Sequence, residues 1–157
     1  MKLTVTYKSF VPQAIAKIEN GADKGVDTLA RYGRATVLEI IYGSGNRVET
    51  TAMAHGVYIN TPINDDYDER TADAAKLAAN RPHGYFPGET HIIPKVDRDL
   101  HGAIIGAGVH YHVYQDQGFV ISFGPLKGTY IGGIYSMESG ANYLRRYGGA
   151  DFLEEFK

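Results

Sequence analysis

The sequence predicts an α+β fold, with a long N-terminal helix packed on a small antiparallel β-sheet and a C-terminal helix. Three observations carry this. Apolar residues recur at helical spacing from Val11 to Ile40, short β-rich segments fill Thr90 to Phe123, and helical patterning returns from Tyr135 to Phe156. The order helix, helix, strands, helix belongs to α+β domains with an antiparallel sheet.

Lys2 to Tyr7 alternates, with Leu3, Val5 and Tyr7 on one side and Lys2, Thr4 and Thr6 on the other, and so reads as a strand. Pro12 then stands where a helix opens, a position proline tolerates because its missing N–H would be unpaired anyway. Val11, Ile15, Ile18, Ala22, Val26, Leu29, Gly33, Val37 and Ile40 form one apolar stripe at the 3.6-residue period. Lys17, Asn20, Lys24, Asp27, Arg31 and Arg34 fall on the opposite face. Gly21, Gly25 and Gly33 each cost about 1 kcal/mol relative to alanine, so packing rather than propensity must hold this helix. A helix of about 30 residues spans roughly 45 Å, more than a compact domain of this size needs. Part of it is therefore expected to pack on something other than its own chain.

Gly43-Ser44-Gly45-Asn46 supplies residues that end a helix. Arg47 to Arg70 has no clear period, and its acidic run Ile63 to Glu69 reads as an exposed, solvated loop. Thr71 to Asn80 reads as a short alanine-rich helix with Thr71 as N-cap and Asp73 in its first turn, stopped by Pro82 and Gly84. Thr90 to Ile93 is a short strand. Gly102 to Tyr114 reads as the central strand, with Val109, Tyr111 and Val113 on one side and His110, His112 and Tyr114 on the other. Asp116-Gln117-Gly118 turns into a strand at Phe119 to Phe123, and the closing helix is expected to break at Gly148-Gly149.

The 157 residues suit one domain, 1–157, with no repeat or linker dividing it. Sixteen Lys and Arg against 18 Asp and Glu argue against a dedicated nucleic-acid binder, which concentrates positive charge on one face. With no cysteine, disulfides, thiolate metal sites and a thiol nucleophile are all excluded, and the cytosol is the simplest setting. The first residues lack the apolar run of a signal peptide, and no stretch reaches the roughly 20 apolar residues of a membrane helix. Twelve tyrosines and no tryptophan are notable, because tyrosine couples apolar area to a polar handle and is enriched in buried contacts between partners.

Each candidate site meets a geometric objection. His110 and His112, two apart on a strand, would share a face and could share an ion with His91 or His101, yet no carboxylate stands at a telling spacing. Gly102, Gly106 and Gly108 imitate a nucleotide loop but are followed by an extended segment, not a helix, so a bulge or tight bend is the simpler reading. Asp65, Asp66, Asp68 and Glu69 lack Ca²⁺-loop spacing. Asp97 and Asp99 flank Arg98 and are expected to pair locally. Ser122, Ser136 and Ser139 have no nucleophile-elbow context. Arg145-Arg146, between Tyr143 and Tyr147, could meet a phosphate backbone but is better suited to an acidic neighbouring subunit.

Three segments bear a resemblance. They are the long helix from Val11, the stretch Gly106 to Phe119 with Tyr111, Tyr114 and Gly118, and Lys127-Gly-Thr-Tyr130-Ile-Gly-Gly leading into the closing helix. Together they resemble the tail-completion or head–tail connector (neck) proteins of tailed bacteriophages. That family's Asp-Thr-Gly-x-Leu segment corresponds here to Glu69 to Leu77, which keeps Thr71 and Leu77 and lacks the glycine.

The resemblance implies a non-catalytic, cofactor-free virion protein. It would form a homo-oligomeric ring, a hexamer or dodecamer, that joins the connector to the tail and lets DNA pass through its lumen. The expected neighbours are portal or adaptor proteins and tail-tube or terminator proteins, without membrane contact and with assembly in the host cytoplasm. The expected subunit contacts are Ile15, Ile18, Leu29, Tyr111, Tyr114, Tyr143, Arg145 and Arg146. A tail terminator or minor head protein is the alternative within this class. From other classes come a small metal-dependent hydrolase using His91, His110 and His112, and a monomeric adaptor of a host cell.

Overall fold

The computed structural model describes residues 10–44, 52–79, 93–96 and 102–155. The expected strand at Lys2 to Tyr7, all but Ile93 of the one at Thr90 to Ile93, the Asp97–Asp99 pairing, His91 and His101 lie outside the described residues.

Helix α1 runs from Val11 to Gly43, with Pro12 in its first turn as expected. Ser44 ends it by donating both its backbone N–H and its hydroxyl to the Ile41 carbonyl, at 3.3 and 2.6 Å. Its 33 residues make a rod about 50 Å long. The C-terminal helix α5, Ser136–Glu154, lies antiparallel to it. Gly140 faces Gly33 and Val37, Leu144 faces Gly33, Gly148 faces Leu29, and Phe152 covers Gly25. Thr28 donates to the Glu155 carboxylate at 2.8 Å.

This contact explains why a helix tolerates so many glycines. A Cβ on Gly140 would sit 2.7 Å from Val37 Cγ2 and 3.0 Å from the Gly33 carbonyl, and one on Gly25 would enter the Phe152 ring at 2.5 Å. The propensity lost at each glycine is offset by a closer approach of the two helices and the dispersion contacts it allows. Gly148-Gly149 accordingly does not break α5, which runs through both. Gly148 serves as the seat of Leu29, not as a stop.

The buried line of α1 begins only at Gly21 and follows Gly25, Ala30, Gly33, Val37 and Ile41; residues 11–20 are all exposed. Val26, Leu29 and Ile40 of the expected stripe are half-buried, and Asp27, expected on the solvent face, is buried. The stripe is rotated because two elements share the helix, α5 on one side and the β1 region on another.

Among the described residues the expected antiparallel pairing takes the form of two two-stranded ribbons. Strand β1, Val57–Asn60, pairs with β2, Ile104–Ala107, in the register Val57↔Ala107 to Asn60↔Ile104. Strand β3, Gly118–Val120, pairs with β4, Tyr130–Gly132. All four β1 residues are buried. A strand covered on both faces shows no alternation, which is why no period marks Val57–Asn60 in the sequence. Just before it, the single turn α2, Ala52–His55, contributes Met53 and Ala54. These join Val37, Ile41 and Val57 in the core, with Leu38, Ile105, Tyr111, Ile134 and Met137 packed around them.

Helix α3, Tyr67–Ala79, starts four residues before Thr71. Thr71 is therefore an interior residue, not the N-cap, and its hydroxyl donates back to the Tyr67 carbonyl at 2.8 Å. The expected central strand stops at Ala107 and gives way to helix α4, His112–Gln117. Gly106 leaves room for the Tyr58 ring, and the Gly108 N–H reaches the Gly56 carbonyl at 2.7 Å. The glycines thus serve close approach, and the chain then turns into α4.

Candidate functional site

The change from strand to helix at Val109–Tyr114 separates the two histidines that were expected to share a face. His110 is exposed, its ring 5.5 Å from that of Tyr114, whereas His112 is only 1% exposed and points inward from α4. Among the described residues no group of three or more His, Asp or Glu is placed to hold a metal ion.

His112 instead meets two residues that sequence distance had hidden, Asp116 one turn along α4 and Ser136 at the start of α5. Asp116 Oδ1 accepts the Ser136 hydroxyl at 2.5 Å, the Ser136 N–H at 2.5 Å and the Met137 N–H at 3.2 Å. His112 Nε2 lies 3.4 Å from Ser136 Oγ and 4.0 Å from Asp116 Oδ1. The residue types are those of a catalytic triad, but the wiring is not. In a triad the histidine takes the serine proton and the aspartate holds the far imidazole nitrogen. Here the aspartate takes the serine hydroxyl itself, His112 Nδ1 is buried without a hydrogen-bond partner among the described residues, and Ser136 is fully buried.

What this cluster does is cap a helix. The residue before α5, Tyr135, is left-handed at φ 53°, and its side chain makes no capping bond. Asp116 reaches across from α4 and takes the first amides of α5, satisfying donors every helix start leaves open, with its charge at the favourable end of the helix dipole. The Gln115 and Asp116 carbonyls accept the Ile134 and Tyr135 N–H groups at 3.1 and 2.9 Å. No local motif marks this cap, because its acceptor is 20 residues away from the helix it serves.

Burial lowers the pKa of His112 below the usual 6.5, with Asp116 acting the other way. A depressed histidine pKa means that the unfolded chain takes up the proton first. The stability His112 permits is thus complete above pH 6.5 and falls as the pH drops below it, until the lower native value is reached. For one proton the slope is at most about 1.4 kcal/mol per pH unit. Chemical denaturation between pH 7.5 and 5 should show this slope, and His112→Gln should flatten it. An unchanged slope in the variant would assign the acid sensitivity elsewhere.

A second polar seam pins the start of α3 to α1. Thr61 donates to Asp27 Oδ1 at 2.6 Å, and Arg31 Nε meets Asp27 Oδ2 at 2.6 Å. Asp66, expected in a solvated loop, is nearly buried; it binds Arg34 at 2.6 Å and Arg70 at 3.1 Å and accepts the Ile59 N–H at 2.8 Å. Asp65 pairs with Lys95. Buried carboxylates require such partners, so this acidic run is scaffold at Asp66 and surface at Asp65, Asp68 and Glu69.

The expected contact residues divide into two groups. Leu29 packs on Gly148 and Tyr111 on the core, so both are engaged within the chain. Tyr114 is half exposed on α4, not on a strand with Tyr111. Ile15 and Ile18 are 51% and 62% exposed, beside Phe10 and Val11 at 68% and 59%. Arg145 and Arg146 are exposed on α5, where Arg145 donates to Asn142 at 2.9 Å and Arg146 lies 5.9 Å from the centre of the Tyr147 ring. The Tyr143 and Tyr147 rings are 5.2 Å apart. One exposed apolar feature had no sequence signal, the β3–β4 hairpin, which presents Val120, Phe123, Leu126 and Tyr130.

Among the described residues no helix is long and apolar enough to cross a membrane. Comparison with protein-family models, with curated protein sequences and with solved structures finds no match for this chain.

Proposed function

We propose that this protein is a structural assembly subunit of the tail-completion or head–tail connector kind, working through contacts with neighbouring subunits and not through catalysis. The observation that carries the reading is the first third of α1. Residues 11–20 are exposed throughout, while α5 meets α1 only from Gly25 onward among the contacts described. Val11, Ile15, Ile18 and Ala22 are spaced by four, three and four, the rhythm of a helix seam that another helix can fill. Contiguous exposed apolar surface of this kind marks a protein contact. The hairpin residues Phe123 and Leu126 add a second apolar projection. The sequence resemblance supplies the phage setting, in which such subunits form a ring between portal and tail.

Light scattering and negative-stain imaging of the full chain test the assembly, and addition of purified protein to tailless heads tests the setting. Wild-type protein should form rings or complete the heads. Ile15→Asp together with Ile18→Asp should abolish both, with the melting curve nearly unmoved because exposed substitutions change stability by only about 0.5 kcal/mol. Wild-type protein that stays monomeric and leaves the heads unchanged would reject the proposal.

A further inference from the structure

If the subunits form a ring, each copy needs two different complementary faces, since a head-to-tail contact closes a ring whereas a self-complementary face stops at a dimer. The exposed end of α1 offers four large apolar side chains, Phe10, Val11, Ile15 and Ile18, few beside the roughly 20–30 residues a side of a stable specific contact. Further surface must therefore take part.

Helix α1 itself separates two such faces. Tyr32 and Arg34 are two residues apart and so about 200° apart around the helix. On the Tyr32 side lies α5, whose Phe152, Gly148 and Leu144 pack against Gly25, Leu29 and Gly33. Arg34 holds Asp66, and with it the start of α3, on the opposite flank. On α5, Arg145 and Arg146 stand exposed around one open surface that Tyr143 and Tyr147 also border, Arg146 beside the Tyr147 ring and Arg145 on Asn142, and neither guanidinium meets a carboxylate among the described residues. On the second flank Asp68 and Glu69 project from the first turn of α3, exposed and with no cation on either carboxylate among the described residues.

We propose that the Arg145–Arg146 face of α5, with Tyr143 and Tyr147, docks on Asp68 and Glu69 of a second copy of this chain. This rests on the assembly reading above and names the contact within it. The charges match two against two and lie on opposite flanks of α1, as a head-to-tail contact requires. Tyrosine and arginine are the residues that anchor such contacts. A nucleic acid fits the same face less well. Two arginines on a chain of net charge −2 are few for a phosphate backbone, whose binders neutralise many phosphates.

The test uses the full chain and charge reversal. Arg145→Glu with Arg146→Glu should raise the dissociation constant of the assembly by a factor on the order of 10², because like charges then face each other. Asp68→Lys with Glu69→Lys should do the same. Mixing the two variants should restore assembly, since each reversed face then meets its opposite on the other variant, and native mass spectrometry should find both variants in the product. Melting curves of each variant alone show whether it is folded. Assemblies that withstand both reversals but fall apart with Ile15→Asp and Ile18→Asp would overturn this contact and leave the assembly reading standing. A mixture that stays monomeric would also overturn it. So would a monomeric wild type that binds a 30-base-pair DNA duplex through the arginines, assigning the face to phosphate instead.

Discussion

Gly133→Ala is expected to destabilise the protein by about 3 kcal/mol, the upper end of what forced overpacking costs. A Cβ at Gly133 would lie 2.6 Å from the Gln117 carbonyl carbon and 2.8 Å from that of Asp116, with the Asp116 oxygen closer still. These are backbone atoms at the end of α4, so no side-chain rotation relieves the clash. The connector from β4 would have to move away from α4. That movement would stretch the bonds from Ile134 and Tyr135 to the Gln115 and Asp116 carbonyls and draw Ser136 off the Asp116 carboxylate. Gly132 is the internal control, because nothing lies within 4 Å of its Cβ position. Gly132→Ala should therefore shift stability by less than about 0.5 kcal/mol. Denaturant titration of the two variants tests the pair, and equal effects would refute the account of the α4–α5 junction.

Asp116→Ala is expected to cost about 3–5 kcal/mol, the range for removing one partner from a buried charged network. The loss leaves the Ser136 hydroxyl, the Ser136 N–H and the Met137 N–H without their acceptor in a buried site, and unsatisfied buried donors are costlier than the hydrogen bonds they replace. Ser136→Ala should cost only about 1 kcal/mol, since Asp116 keeps both amides. The ordering of the two variants separates a helix cap from a catalytic serine. Denaturation curves give it directly, and a larger effect at Ser136 than at Asp116 would overturn the capping role.

The parts of the fold legible from sequence are those set by short-range periodicity and punctuation. Helix α1 announces itself through Pro12, a long 3.6-residue stripe and Gly43-Ser44, and α5 through its return to helical spacing. Its excess length over its own core was also legible, because length follows from residue count alone. The misreadings are as local in origin. Val109, Tyr111 and Val113 alternate like a strand, but α4 forms because its Asp116 captures α5 and its His112 fills the interior. Asp27 and Asp66 look like solvent residues, and only the arrival of Thr61 and Arg34, 34 and 32 positions away, makes burial tolerable. The candidate contact residues split the same way: Ile15 and Ile18 stay exposed, whereas Leu29 and Tyr111 are taken up within the chain.

By itself the sequence determined an α+β chain with two long helices and one helix end too long for its core. It did so because backbone period, proline and glycine act over a few residues. Tertiary structure decided which face of α1 is buried, that its glycines admit α5, and that a histidine, a serine and an aspartate meet as a cap. Those outcomes depend on groups brought together from 20 or more positions apart, and burial makes each group's cost depend on the partner it finds there.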